Sequence, residues 1–171
     1  MFNRPEKRNA LTLTMIQQMT TYIDEVAGDP GIRAIILSGS GGVFSAGVDV
    51  SQFATMEVST APDFIQHLHK LCATVRQCAK PVIAAIDGPC IGGSFELALS
   101  CDLRVATPGA TMGLPEVQLG LPSVIEAALL LHHVGLSKTQ ELVLTGEPIT
   151  ATEAERMGLV ARIVPAGQLE Q

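Results

Sequence analysis

The chain has 171 residues, 47% of them apolar and 16% charged, with a mean hydropathy of +0.33. That suits one domain around a single core and excludes a disordered chain, a collagen-like repeat or a disulfide scaffold. Eleven Lys and Arg against 17 Asp and Glu give a net charge of −6 with no basic run, so neither nucleic acid nor an anionic membrane surface is an expected partner.

Cys72, Cys78, Cys90 and Cys101 lack C-x-x-C spacing and sit in apolar stretches. They read as reduced core thiols, and no zinc or other metal site is expected. No apolar run is long enough to span a bilayer. The charged start at Met1 carries no signal core, so a cytoplasmic protein is expected.

From the N-terminus, Met15, Ile16, Met19, Ile23 and Val26 recur at helical spacing, with Thr12 as N-cap and Gly28 as stop. Arg33 to Ser38 reads as a buried strand, followed by a glycine-rich loop over Gly39 to Asp49. Asp63 to Lys80 is a second amphipathic helix, with Phe64, Leu68, Leu71, Cys72 and Val75 on one face and Pro81 as its stop. Val82 to Ile86 is a second buried strand, and after the Asp87-Gly-Pro89 turn the segment Cys90 to Ser100 opens on glycines and continues as a helix. Leu103 to Ala106 is a third strand. Ser123 is expected to cap an apolar helix through Val134, Lys138 to Leu144 to start another, and Ala151 to Met157 to form a short one before Leu159 to Val164. This alternation predicts an α/β fold with parallel strands, either doubly wound or a coil of strand–helix turns.

Two familiar motifs fail on single residues, and a third is absent. Gly39-Ser-Gly-Gly-Val-Phe44 follows a strand, but Phe44 stands where a dinucleotide loop needs glycine, and no helix pattern opens directly after the loop. In Gly92-Gly-Ser94-Phe-Glu96, Glu96 replaces the last glycine of a nucleophile elbow. No phosphate-binding G-x-x-x-x-G-K-[ST] occurs. His67, His69, His132 and His133 lie in helical stretches and are assigned to packing or the surface, the last two being adjacent and pointing in different directions.

Two glycine-bearing turns are left, Phe44-Ser-Ala-Gly-Val-Asp49 and Ile91-Gly-Gly-Ser94. Each can turn backbone N–H donors toward a ligand, and two donors meeting at one oxygen would make an oxyanion hole. Glycines kept for tight packing explain the same turns equally well. Two carboxylates sharpen the functional reading. Glu96 stands in an apolar helix, and Glu116 in Gly113-Leu-Pro-Glu-Val, beside a turn. A buried carboxylate has a raised pKa, and two such groups can divide acid and base roles around one water.

Together with these, Asn3-Arg-Pro-Glu-Lys-Arg-Asn-Ala-Leu11, Lys80-Pro-Val-Ile-Ala-Ala-Ile-Asp-Gly88 and Gly113-Leu-Pro-Glu-Val-Gln-Leu-Gly120 resemble the enoyl-CoA hydratase/isomerase (crotonase) family. So do the later Leu144-Thr-Gly-Glu147, Ala151-Thr-Glu-Ala154, Gly158-Leu-Val160 and Val164-Pro165, all in family order along the whole chain. The resemblance implies a crotonase-type spiral of strand–strand–helix turns and an acyl-CoA thioester substrate. It places the backbone N–H groups of Val48 and Gly93 on the thioester oxygen and gives the proton chemistry to Glu96 and Glu116. Ala46, Gly47, Asp49 and Gly92 fall in the substrate-binding stretches, with Lys7 and Arg8 as candidate phosphate contacts. Coenzyme A enters as part of the substrate, and no separate cofactor is implied.

The family runs several reactions on one oxyanion hole. Both carboxylates are present, which puts hydration of a 2-enoyl-CoA first, ahead of Δ3,Δ2-enoyl-CoA isomerisation or another acyl-CoA reaction, with a non-catalytic acyl-CoA binder as a further alternative. Leu121-Pro-Ser-Val-Ile-Glu126 departs from the glycine-rich continuation common in hydratases. Its Glu126 is assigned to the surface or a salt bridge. Residues 1–171 are expected to form one crotonase-like core, cut short at both ends and lacking the usual C-terminal helical segment. Self-association, as a trimer or a dimer of trimers, is the family's habit.

Overall fold

The computed structural model describes residues 1–54 and 61–169. Helix α1 (Leu13–Ala27) starts where the Thr12 side chain accepts from the Met15 N–H at 3.2 Å, and ends at Gly28. It buries Ile16, Thr20 and Ile23 against α3 (Ala61–Arg76). That helix buries Phe64, Leu68, Leu71, Cys72 and Val75, the face its sequence period predicts. Removing each such side chain from water contributes about 1.5–3 kcal/mol. Helix α3 ends at Arg76, short of the expected Pro81 boundary.

Strands β1 (Ile35–Ser38), β2 (Val82–Ile86), β4 (Leu103–Ala106) and β7 (Arg162–Ile163) form a sheet in the order β1-β2-β4-β7, parallel throughout. A second sheet holds β3 (Pro89–Ile91), β5 (Thr111–Gly113) and β6 (Ile149–Thr150), with β3 and β5 parallel and β5 and β6 antiparallel. The chain passes from β2 directly into β3 and then into α4 (Gly93–Leu99), and from β4 into β5 and a 3-10 turn (Pro115–Leu119). These are the strand–strand–helix turns of the expected spiral. An isolated parallel bridge between Ser45 and Cys90 continues the second sheet toward the glycine-rich loop.

No helix opens directly after Phe44, and α2 (Val50–Ala54) begins only beyond Asp49. One expectation needs correction. Ser123 caps no helix: residues 121–126 are irregular, a 3-10 turn covers Ala127–Leu129, and α5 runs over Leu130–Thr145 with a non-helical break at Gly135. The Ser123 hydroxyl is engaged elsewhere, on Glu116. Within Leu159 to Val164, Arg162–Ile163 form β7.

Helix α6 (Ala151–Arg156) carries a complete capping box between Thr150 and Glu153. The four cysteines are free thiols, and burial pushes Cys72 and Cys101 up to about 12. Among the described residues no helix is long and apolar enough to cross a membrane.

All seven residues of α4 are buried. Arg104, itself buried on β4, steadies the far end of that helix: Nη1 donates to the Ala98 and Cys101 carbonyls at 3.1 and 2.8 Å, and Nε to Leu159 at 2.7 Å. A cation on the last carbonyls of a helix offsets its dipole and satisfies acceptors the helix leaves open. Glu96, in the middle of α4, is thus carried on an element fixed on all sides.

Candidate active site

The two glycine-bearing turns are tied to each other. The Ser45 N–H donates to the Pro89 carbonyl at 3.0 Å, and the Ile91 N–H to Ser45 at 3.1 Å. Ser94 Oγ lies 2.9 Å from the Ser45 carbonyl and 2.8 Å from that of Ile91, and accepts from the Ile91 N–H at 3.0 Å. Gly47 is required at the crossing: its φ is +87°, and a Cβ there would stand 2.6 Å from the Ile91 carbonyl oxygen.

Leu11 pairs with this first turn through its neighbours, its N–H donating to Gly47 and its carbonyl accepting from Asp49. That pattern leaves the Val48 N–H without a partner among the described residues. Gly93 is the first residue of α4, where an N–H has no partner within the helix. The Val48 side chain lies against Gly93, since a Cβ on that glycine would sit 3.2 Å from Val48 Cγ2. The two backbone donors therefore come from turns held in contact.

Both turns open on one cavity of about 410 Å³, lined by Ala46, Gly47, Val48, Gly92, Gly93, Glu96 and Glu116 among others. Val50, Leu119, Leu121 and Val124 bring exposed apolar surface to the same cavity. A mostly apolar cleft with a few converging polar groups is the usual form of a small-molecule site.

Glu96 is buried, and its Oε1 accepts three backbone N–H bonds, from Ile125 at 3.0 Å, Glu126 at 2.8 Å and Ala127 at 2.9 Å. Burial pushes its pKa up to about 7, the Glu116 charge adds to the rise, and the three N–H bonds pull against both. Its Oε2 makes no hydrogen bond to a described residue. Half-buried Glu116 accepts from Ser123 Oγ at 2.9 Å through Oε2, while its Oε1 comes close over Gly92, within 2.7 Å of where a Cβ would be.

Gly92 also has φ +61°, so Gly92→Ala combines backbone strain with a clash against Glu116. We expect it to lower unfolding stability by about 1–3 kcal/mol, measured by denaturant titration.

Asp49 is not in the cavity lining. Its carboxylate pairs with Arg4 Nη1 at 2.5 Å and accepts from Ser51 Oγ at 2.6 Å, and the Ser51 and Arg4 bonds lower its pKa to about 2. Lys7 and Arg8 are exposed and also lie outside the lining. Arg8 meets the site through its backbone, its carbonyl accepting from the Ala46 N–H at 3.0 Å. Sequence reasoning missed Asn9, fully buried with φ +55°, whose side-chain amide donates to the Ser40 and Val43 carbonyls at 2.9 and 2.7 Å and shapes the loop leading into the first turn. Its position inside the Asn-Arg-Pro motif was the available signal. Glu126 is buried and forms an ion pair with Arg76, and His69 Nδ1 lies 3.3 Å from its Oε1.

A sequence model described as enoyl-CoA hydratase/isomerase matches residues 1–171. The chain belongs to this family. It is 40% identical over 170 residues to "Probable enoyl-CoA hydratase echA8" of Mycobacterium tuberculosis, covering 98% of this chain and 65% of that protein. It is 39% identical over 175 residues to "Enoyl-CoA hydratase EchA19" of the same species, covering 97% and 64%. Among solved structures, an enoyl-CoA hydratase from Bacillus anthracis superposes with a TM-score of 0.94 at 32% identity, over 98% of this chain and 66% of that one. The chain thus spans just under two thirds of the length of these relatives. The crotonase-type architecture expected from the motifs is the one observed.

Proposed function

We propose that this protein hydrates a 2-enoyl-CoA. The observation that carries the reading is the meeting of two glutamates and two free backbone donors in one largely apolar cavity. The Val48 and Gly93 N–H groups would hold the thioester oxygen and favour the enolate over the neutral carbonyl, a stabilisation of about 2.7–4 kcal/mol per donor in well-built oxyanion holes. Ionised Glu96 takes a proton from water as the water oxygen bonds to the β-carbon, and the double-bond electrons move onto the thioester oxygen. Glu116, protonated, delivers its proton to the α-carbon as the enolate collapses. Proton exchange from Glu96 to Glu116 through solvent then restores the starting state. Ala46, Gly47 and Gly92 serve by letting the thioester approach the backbone. The named relatives are enoyl-CoA hydratases, which supports the same reading.

Spectrophotometric hydration of crotonyl-CoA by the purified protein is the direct test. Glu116→Gln is expected to remove turnover, while absence of turnover in the unaltered protein would leave acyl-CoA binding alone. The pH profile adds a sign. Only ionised Glu96 can accept the water proton, and burial sets its pKa at about 7. The kcat/KM for hydration should therefore fall about tenfold per pH unit below roughly pH 7 and fall again at higher pH, because the proton that Glu116 delivers must be present as well. A profile flat down to pH 5 would remove Glu96 from the role of base.

A further inference from the structure

One buried charge is left unused by this chemistry. Glu126 stands in the irregular segment before α5, its side chain 8% exposed, and forms an ion pair with Arg76 Nη1 at the end of α3. His69 Nδ1, on the same α3 face two turns earlier, lies 3.3 Å from Glu126 Oε1 without being aligned for a hydrogen bond. The Glu126 N–H, meanwhile, is the shortest of the three bonds to Glu96 Oε1, and its neighbours Ile125 and Ala127 supply the other two. One residue therefore joins α3 to the cradle around Glu96.

Fold stability alone is a weak reason for such a pair. An apolar side chain of similar volume at position 126 would hold the segment to α3 at least as well, because desolvating two charges offsets most of their attraction. An ion pair adds direction: the guanidinium at the end of α3 fixes where the carboxylate, and with it the attached peptide unit, must sit.

We propose that Glu126 is a positioning residue for Glu96, its ion pair with Arg76 fixing the 125–127 backbone so that three N–H groups grip Oε1 and leave Oε2 for water. This rests on the hydratase reading for its chemical purpose, though the grip itself is a property of the free protein. The groups facing Glu96 are Glu116 from the 3-10 turn, Cys72 from α3 and Glu126 with Arg76 and His69 beside it. The charge of Glu126 is largely neutralised by Arg76. Its removal is therefore felt at Glu96 mainly through the backbone.

The test uses Glu126→Ala and Arg76→Gln, the second at a side chain 34% exposed and thus safe for folding. Two readouts need no substrate: amide hydrogen exchange at residues 125–127, and titration of Glu96 by carbon NMR on glutamate-labelled protein, assigned by its loss in Glu96→Gln. Both variants should speed exchange at these amides at least tenfold and move the Glu96 midpoint up by about one pH unit, the loss of roughly one hydrogen bond to a charged group. Combining the variants should add nothing further, since either one opens the same clasp. Unchanged exchange, or a midpoint that stays put or falls in Glu126→Ala, overturns the proposal. Crotonyl-CoA hydration by the unaltered protein is scored separately. Its absence sinks the hydratase reading and leaves the clasp to be decided by NMR.

Discussion

Val48→Pro is expected to lower crotonyl-CoA hydration by about 100–1000-fold with little change in fold, the range found when one oxyanion donor is lost. Proline lacks the N–H, and that N–H is the only part of Val48 given a role in the reaction. The pairing of this turn with Leu11 runs through Gly47 and Asp49, so proline at position 48 breaks no observed hydrogen bond. Val48→Ala keeps the donor and should stay within a few-fold of the unaltered rate, which separates loss of the N–H from loss of the side chain. Far-UV circular dichroism and thermal unfolding establish that the proline variant is folded. A folded Val48→Pro enzyme with near-normal turnover would mean that the thioester oxygen sits elsewhere. The two outcomes differ by at least two orders of magnitude, well beyond assay scatter.

What the sequence made legible follows physical range. Thr12 as a cap, the five-residue buried face of α3 and the strands Val82–Ile86 and Leu103–Ala106 are set by local patterns, and all appear where the pattern puts them. Strands β3 and β5 have three residues each, too few to show a period, and form because each is the other's parallel partner. Ser123 read as a cap because serine before an apolar run is a local signal; the Glu116 carboxylate, distant along the helix pattern but near in space, takes its hydroxyl instead. Glu96 stood out as a charge in an apolar helix, yet nothing local showed that its partners would be three peptide N–H groups from residues 125–127. Asp49 lies next to a cavity residue in sequence and turns away from the cavity in space, drawn by Arg4. Motif order conveys the fold, whereas the partners of each charge come from residues distant in sequence.

Glu96→Gln should separate the two halves of the reaction. A carboxamide cannot take a proton from water, so hydration is expected to fall by 100-fold or more, within the range general acid–base groups supply. Exchange of the α-proton with solvent needs only Glu116 and the oxyanion donors. It should survive in Glu96→Gln and vanish in Glu116→Gln, as read by deuterium incorporation into a bound acyl-CoA. The same substitution should stabilise the protein above neutral pH. A carboxyl whose pKa rises from 4.5 to about 7 on folding favours the folded state only while protonated, and that advantage is lost as pH climbs through this window. Above pH 7 the buried charge costs roughly 3 kcal/mol, which a neutral isostere avoids while its carbonyl still accepts from the 125–127 N–H groups. Glu96→Gln is therefore expected to unfold at a higher temperature than the unaltered protein at pH 8 and to lose most of that margin at pH 5. A residue that weakens the fold and is needed for turnover is held for its chemistry. If Glu96→Gln hydrates at the unaltered rate, water is activated by another group and double-bond migration through Glu116 becomes the leading reaction.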